Sequence, residues 1–299
     1  MSLLPTAVTQ CSRSALGLLP TLMALQAAEG PGMPAGTLSE GASPVYSVFN
    51  PVPPDQMRPM VLDRPDKTES PYTVDAGHVQ VEMDLVTYAW DRRSGSSGGS
   101  RPTELALAPM NWKVGLVNHI DLQCILRPYF RVRGTDPGDP VSGTGDLTGR
   151  LKVNVWGNDG GATALAVMPF VTAPSGAGNE SPRRPSGGII VPFAVELPSA
   201  WTLGLMTELD LGESPEEGGL GASFIHTATI GHPIAGPVSG YLEFFSEVAD
   251  SSGLGWVGTV DAGFTWAVHD NWIVDVGFNF GVTPEAPDFN PFLGVSHRF

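Results

Sequence analysis

The chain has little charge, and the charge it has is lopsided. Only 16% of its 299 residues are Asp, Glu, Lys or Arg, and 31 acidic residues outweigh 16 basic ones for a net charge of −15. So few Lys and Arg exclude nucleic acid as an expected partner, because that binding rests on neutralising phosphates. There are two cysteines, Cys11 and Cys124, too few for a disulfide framework or a Cys-rich zinc site. No GxSxG, HExxH or Walker sequence occurs, so no enzymatic activity, metal or cofactor is expected. Uncharged apolar runs long enough for a bundle of membrane helices are also missing.

Turn residues are abundant instead. The chain holds 37 Gly and 28 Pro, more than helices tolerate, which points to an all-β fold with many turns. Residues 1–28 read as a signal peptide: Arg13, an apolar core from Ala15 to Leu25, then the small residues Ala27 and Ala28. Residues 29–75 are rich in Gly, Pro and Ser and show no sustained period, so they read as an irregular segment on the periplasmic side. From residue 76 to 299 the hydrophobic period is two.

The alternation is regular enough to count. Ile120, Leu122, Cys124, Leu126, Phe130 and Val132 alternate with Asp121, Gln123, Arg127, Tyr129 and Arg131. Val79, Val81, Met83 and Leu85 alternate with His78, Gln80, Glu82 and Asp84. About twelve such strands are predicted, with a bulge near Pro109 where the parity of residues 104–117 changes. Short connections such as Asn118-His119 and His269-Asp270 alternate with long polar ones such as 91–103 and 172–186. That regularity, with an even strand number, is expected of a closed antiparallel transmembrane β-barrel with short periplasmic turns and long external loops. A terminal Phe299 on an alternating strand fits the signal that the barrel assembly machinery of the outer membrane reads. Acidic loop positions such as Glu213, Glu216 and Glu217 read as solvated, with ion bridging to lipopolysaccharide as a minority reading.

The block Asp63-Arg64-Pro65-Asp66-Lys67-Thr68-Glu69-Ser70-Pro71-Tyr72-Thr73-Val74-Asp75-Ala76-Gly77 resembles the opening of a family of Gram-negative outer-membrane proteins, the putative MetA-pathway of phenol degradation or transporter family. The resemblance continues at Val117–Leu122, at Gly240–Glu243, at Asp275–Thr283 and through Gly294–Phe299, and spans about residues 60–299. It implies an outer-membrane β-barrel associated with uptake of aromatic or other apolar compounds. It brings no catalytic residues with it.

The polar faces of the strands supply the expected lumen lining. From the first half of the chain these are Glu82, Asp84, Lys113, Asp121, Arg127, Arg131, Arg150 and Lys152. From the second half they are Glu208, Asp210, Glu243, Glu247, Asp261 and Asp275. Arginines across from carboxylates would set a transverse field in a constriction. Tyr129, Tyr241 and Phe245 share the inward parity and are the candidates for touching an aromatic solute. Trp90, Trp112, Trp201, Trp256, Trp266, Trp272, Tyr88, Phe130 and Phe280 are expected in interfacial girdles. The alternating charges Asp63, Arg64, Asp66, Lys67 and Glu69 either fold into the lumen as a plug or form a solvated periplasmic tail. The function expected is passive passage of a small solute across the outer membrane. The alternatives are a barrel hydrolase, for which His119 beside Asp121 and His269 beside Asp270 offer only turn chemistry, and a non-conducting structural barrel.

Overall fold

The computed structural model describes residues 45–91, 103–133, 140–177, 184–213, 219–249 and 255–299. The expected signal peptide and the loop residues Glu216 and Glu217 lie outside them. Fifteen strand segments form one sheet. They merge into a closed barrel of twelve antiparallel strands. We number these β1 (Val79–Trp90), β2 (Thr103–Leu107 and Met110–Val117), β3 (Ile120–Leu126 and Tyr129–Arg133), β4 (Val141–Gly143 and Leu147–Trp156), β5 (Thr163–Ala173) and β6 (Ser186–Leu197). The second half is β7 (Trp201–Glu213), β8 (Leu220–Ala235), β9 (Val238–Ala249), β10 (Val257–His269), β11 (Trp272–Gly281) and β12 (Phe289–Arg298). Each strand pairs with its neighbours in sequence, and β12 closes on β1 from Gln80↔Arg298 to Trp90↔Phe289. Closure leaves no unpaired edge, which is the condition for placing strands in lipid.

The burial pattern is inverted relative to a soluble domain. On β9, Leu242 and Val248 are 52% and 48% exposed while Glu243 between them is 2% exposed. On β3, Leu122 is 48% exposed and Asp121 is fully buried. The apolar parity faces outward, where lipid would cover it, and the polar parity faces the lumen. Cys124 follows the outward parity opposite Trp112. Short turns at Asn118-His119, Pro198–Ala200, Gly236-Pro237 and Asp270-Asn271 gather at one rim. Longer connections join the strands at the other.

One feature departs from simple alternation. The strands β1 to β4 are all interrupted at the same height. The β1–β12 register shifts between Asp84 and Val86. β2 breaks at Ala108 (φ 55°) and Pro109, β3 at Arg127-Pro128, and β4 at residues 144–146. Prolines cannot donate to the ladder, so the break falls where Pro109 and Pro128 stand. Below it the inward residues are Glu82, Lys113, Gln123 and Lys152; above it the inward parity passes to Thr87, Ala106 and Phe130, which pair in a row, and to Val132 opposite Glu104. Ala106, Phe130 and Val132 form a small buried cluster with Val141.

Candidate functional site

The chain before β1 enters the barrel. At the short-turn rim Ser47 bridges to Val117, and the Val48 amide donates to the Leu116 carbonyl at 3.0 Å. Arg58 then donates to Asp75 at 2.8 Å and to the Asn158 carbonyl at 3.4 Å. From there the chain climbs into the lumen, turns through Asp63–Ser70 and comes back to Asp75. The Ser70 amide donates to Asp63 Oδ1 at 2.9 Å and closes the loop at its base. Gly115 permits the return: a Cβ there would stand 2.1 Å from the Asp75 carbonyl oxygen.

The loop's charges sort themselves by wall. β2 and β4 present Lys113, Arg150 and Lys152, whereas β9, β10 and β11 present Glu243, Asp261 and Asp275. Asp63 accepts from Lys113 and, with both oxygens, from Lys152 at 2.6 and 2.8 Å. Glu69 takes Arg150. On the acidic side, Arg64 donates to Asp84 at 2.7 Å and to both oxygens of Asp275 at 2.7 and 3.0 Å. Lys67 Nζ reaches Asp261 and Thr259, each at 2.8 Å. Glu243 accepts from the amides of Lys67 at 2.9 Å and Thr68 at 2.8 Å, and from the Thr68 hydroxyl at 2.6 Å. Asp63, Arg64, Lys67 and Glu69 of the alternating loop each face the opposite sign, which is what makes burial of these charges tolerable.

Burial works against ionisation of Asp63, but Lys113 and Lys152 hold its carboxyl well below the ordinary value. Asp66 lacks such a partner: burial, with Glu243 next to it, raises its carboxyl well above the ordinary value, against a hydrogen bond from Thr229. Burial also raises Glu69, against the pull of Arg150.

The other expected lining residues divide. Glu82 pairs with Lys113 and accepts the Asp63 amide at 3.0 Å. Asp121 accepts the Val74 amide at 3.1 Å. Glu208 and Asp210 stand beside each other on the inward face of β7, and Glu247 stands near Ser223. Phe245 lies 4.4 Å beneath the Lys67 ammonium, and the Tyr241 hydroxyl is buried with no hydrogen-bond partner. Arg127 stands in the break itself, paired with Glu104 at 2.5 Å and stacked over Phe130 at 4.1 Å. Two residues do not belong to the lumen. Tyr129 and Arg131 lie on the outward face because the break exchanges the parities of β3, and Phe130, expected in a girdle, points inward.

Sequence reasoning missed an apolar inner stripe. Ala164, Ala166, Met168, Ile190 and Met206 of β5, β6 and β7 are buried, with Phe170 and Ile225 packed against the methionines. The Glu69 amide donates to Met206 Sδ at 3.4 Å, so the loop lies over this stripe. Its signal was present: β5 and β6 are apolar at both parities. A second omission is the rim network, where Arg298 donates to Asp75 at 3.1 Å and to the Arg58 carbonyl at 2.9 Å. Arg298 shares inward parity with Ser296, which period two alone could have found.

Above the loop, toward the long connections, a cavity of about 310 Å³ opens among Asp63–Lys67, Glu69, Asp84, Met110, Asn111, Ile125, Arg150, Asn279, Asn290 and Phe292. Three histidines serve the short-turn rim. His232 stacks on Trp201 at 4.3 Å, His297 stacks on Trp272 at 4.0 Å, and His78 bridges the Phe299 and Val52 oxygens at 2.9 and 2.8 Å. Among the described residues, no group of three or more His, Cys, Asp and Glu side chains is placed to hold a metal ion. The Phe299 ring meets His297 edge-on at 4.3 Å.

A sequence model of the family described as Putative MetA-pathway of phenol degradation matches residues 62–299. No curated protein matches the chain. Among solved structures, the CymD monoaromatic hydrocarbon channel aligns over 74% of this chain and 87% of its own, at 9% identity and a TM-score of 0.41. The translocator domain of the autotransporter NalP from Neisseria meningitidis aligns over 74% and 88%, at 10% identity and 0.43. The outer membrane channel DcaP of Acinetobacter baumannii aligns over 77% and 100%, at 8% identity and 0.36. Likeness at these levels carries no shared function.

Proposed function

The chain belongs to the Putative MetA-pathway of phenol degradation family, and from that premise we propose that it is a passive outer-membrane channel for small apolar or aromatic solutes, closed at rest by its own N-terminal loop. One observation carries the reading. The lumen is filled by the separate segment 57–75 and not by the barrel's own side chains packed against one another. A barrel built only as a wall has no need of a second layer of matched charges; a conduit with a removable stopper does. The apolar stripe beneath the loop supports an apolar solute, since Met168, Ile190 and Met206 would form a continuous surface once the loop leaves. In this reading residues 1–28 direct export. The outward face meets lipid and lipopolysaccharide, and the β12 end with Phe299 engages the assembly machinery.

The test is conductance in a planar bilayer, comparing the chain from residue 29 with the chain from residue 76. Rare openings in the longer form and steady channels in the shorter one are expected. Silence in both overturns the channel.

A further inference from the structure

We propose that the cavity above the loop is a binding site for a small aromatic carboxylate, taken on the open edge of Arg150 beside Glu69. This rests on the channel reading and names its solute. Arg150 engages Glu69 through Nη1 alone. Its Nε is buried without a hydrogen-bond partner, and so is the second oxygen of Glu69, Oε2. The guanidinium edge that takes a carboxylate with two parallel bonds is Nε with Nη2, as Arg64 shows on Asp275. Glu69, fixed by its backbone over Met206, sits on Nη1 and leaves that edge unfilled. A free carboxylate has no tether and can take it.

The rest of the ligand follows from what stands beside Arg150. Gln123 pairs with Arg150 and Asn111 with Ile125 in the register of β2, β3 and β4. Met110 and Ile125 line the same cavity as Arg150, with Pro109 at its edge, and offer apolar surface to a flat ring. A volume of about 310 Å³ is at the small end of ligand sites and has room for a single-ring molecule. Asn111 adds a directional group. Asp121 accepts from Gln123 Nε2 at 3.0 Å, which turns the Gln123 oxygen toward Asn111 Nδ2, also at 3.0 Å. Asn111 Oδ1 is therefore left as a buried acceptor with no partner. A ring hydroxyl would satisfy it. Binding the carboxylate at Arg150 sets a second anion beside Glu69 on one guanidinium, which weakens one of the two anionic contacts that hold the loop to the basic wall.

The test is isothermal titration calorimetry on the full chain refolded in detergent, with benzoate, 4-hydroxybenzoate and the uncharged arene benzyl alcohol. Benzoate is expected to bind at least about tenfold more tightly than benzyl alcohol, the size of one charge-assisted contact. Glu69→Gln should tighten benzoate further, because the neighbouring negative charge is gone, and Arg150→Gln should erase the preference for charge. Asn111→Ala should remove any gain from the ring hydroxyl. Equal binding of benzoate and benzyl alcohol by both the wild type and Glu69→Gln overturns the site. Conductance of the chain from residue 76 separates the two readings: channels without a benzoate preference sink this site alone, and silence with a preference sinks the channel alone.

Discussion

At the residue scale, Asp63 is where the loop's attachment concentrates. It faces two ammonium groups, and both Lys113 and Lys152 are almost fully buried. Replacing it by Asn removes the charge and keeps the shape, which leaves two buried cations sharing Glu82 and Asp121. Breaking a buried pair from one side costs about 3–5 kcal/mol. Asp63→Asn is therefore expected to raise the undocked population on the order of a hundredfold or more. Protease cleavage between residues 57 and 75 should rise accordingly. The heat-induced gel shift that reports the barrel wall should stay as in the wild type, and an unchanged cleavage rate would show that Asp63 does not hold the loop. The same residues set a pH dependence. Asp63 is depressed in the docked state, so its contribution is present above its ordinary value and lost as pH falls through the docked one. Asp66, facing Glu243 and Tyr241, and Glu69, facing Arg150 with Lys113 and Lys152 nearby, are raised. Their contribution is complete below their ordinary values and lost as pH rises through the docked ones. Docking should then be firmest in mild acid and loosen toward alkaline pH, with the slope of cleavage rate against pH flattened in Asp66→Asn.

At the scale of elements, the row of breaks across β1–β4 decides which residues face in. Period two placed all twelve strands, because a barrel with one face in lipid and one in water punishes every slip of register. The alternating connections followed for the same reason. The break at Pro109 was legible too, since the parity visibly changes there. Its continuation into β3 was not. Ile120–Val132 reads as one alternating run straight through Pro128, and only pairing to the broken β2 shows that the inward parity changes hands. Tyr129 and Arg131 were thereby misassigned, whereas Lys113, Arg150 and Lys152, all below the break, stand where alternation puts them. Spin labels test the exchange directly. In a Cys124→Ser background, a label at Arg131→Cys should be relaxed by oxygen dissolved in lipid and protected from a water-borne relaxant, whereas one at Val132→Cys should be immobilised and protected from both. The reverse pattern would restore unbroken alternation through β3. The apolar stripe of β5–β7 escaped for a different reason: a strand apolar on both faces carries no parity at all, and its inner face is explained only by the loop that covers it.

At the scale of the whole molecule, the lumen is an electrostatic sandwich whose filling is part of its wiring. With the loop in place, Arg64 and Lys67 answer the carboxylates of β9–β11, and Asp63 and Glu69 answer the cations of β2 and β4. Remove the loop and the two walls face each other across water, but they are unequal. Asp84, Glu208, Asp210, Glu243, Glu247, Asp261 and Asp275 line one side, and Lys113, Arg150 and Lys152 the other. Narrow clefts with low-dielectric walls focus such an imbalance onto the path of a solute. The chain from residue 76 should therefore select cations, with a reversal potential in a potassium chloride gradient of the corresponding sign. The selectivity should weaken as the salt is raised, because at about 1 M the screening length shrinks to about 3 Å. Lys113→Gln in the same shortened chain removes a cation from the minority wall and should move the reversal potential further toward that of potassium. A shift toward chloride would mean that the acidic wall does not border the conducting path and that ions pass along the basic side, in reach of Arg150.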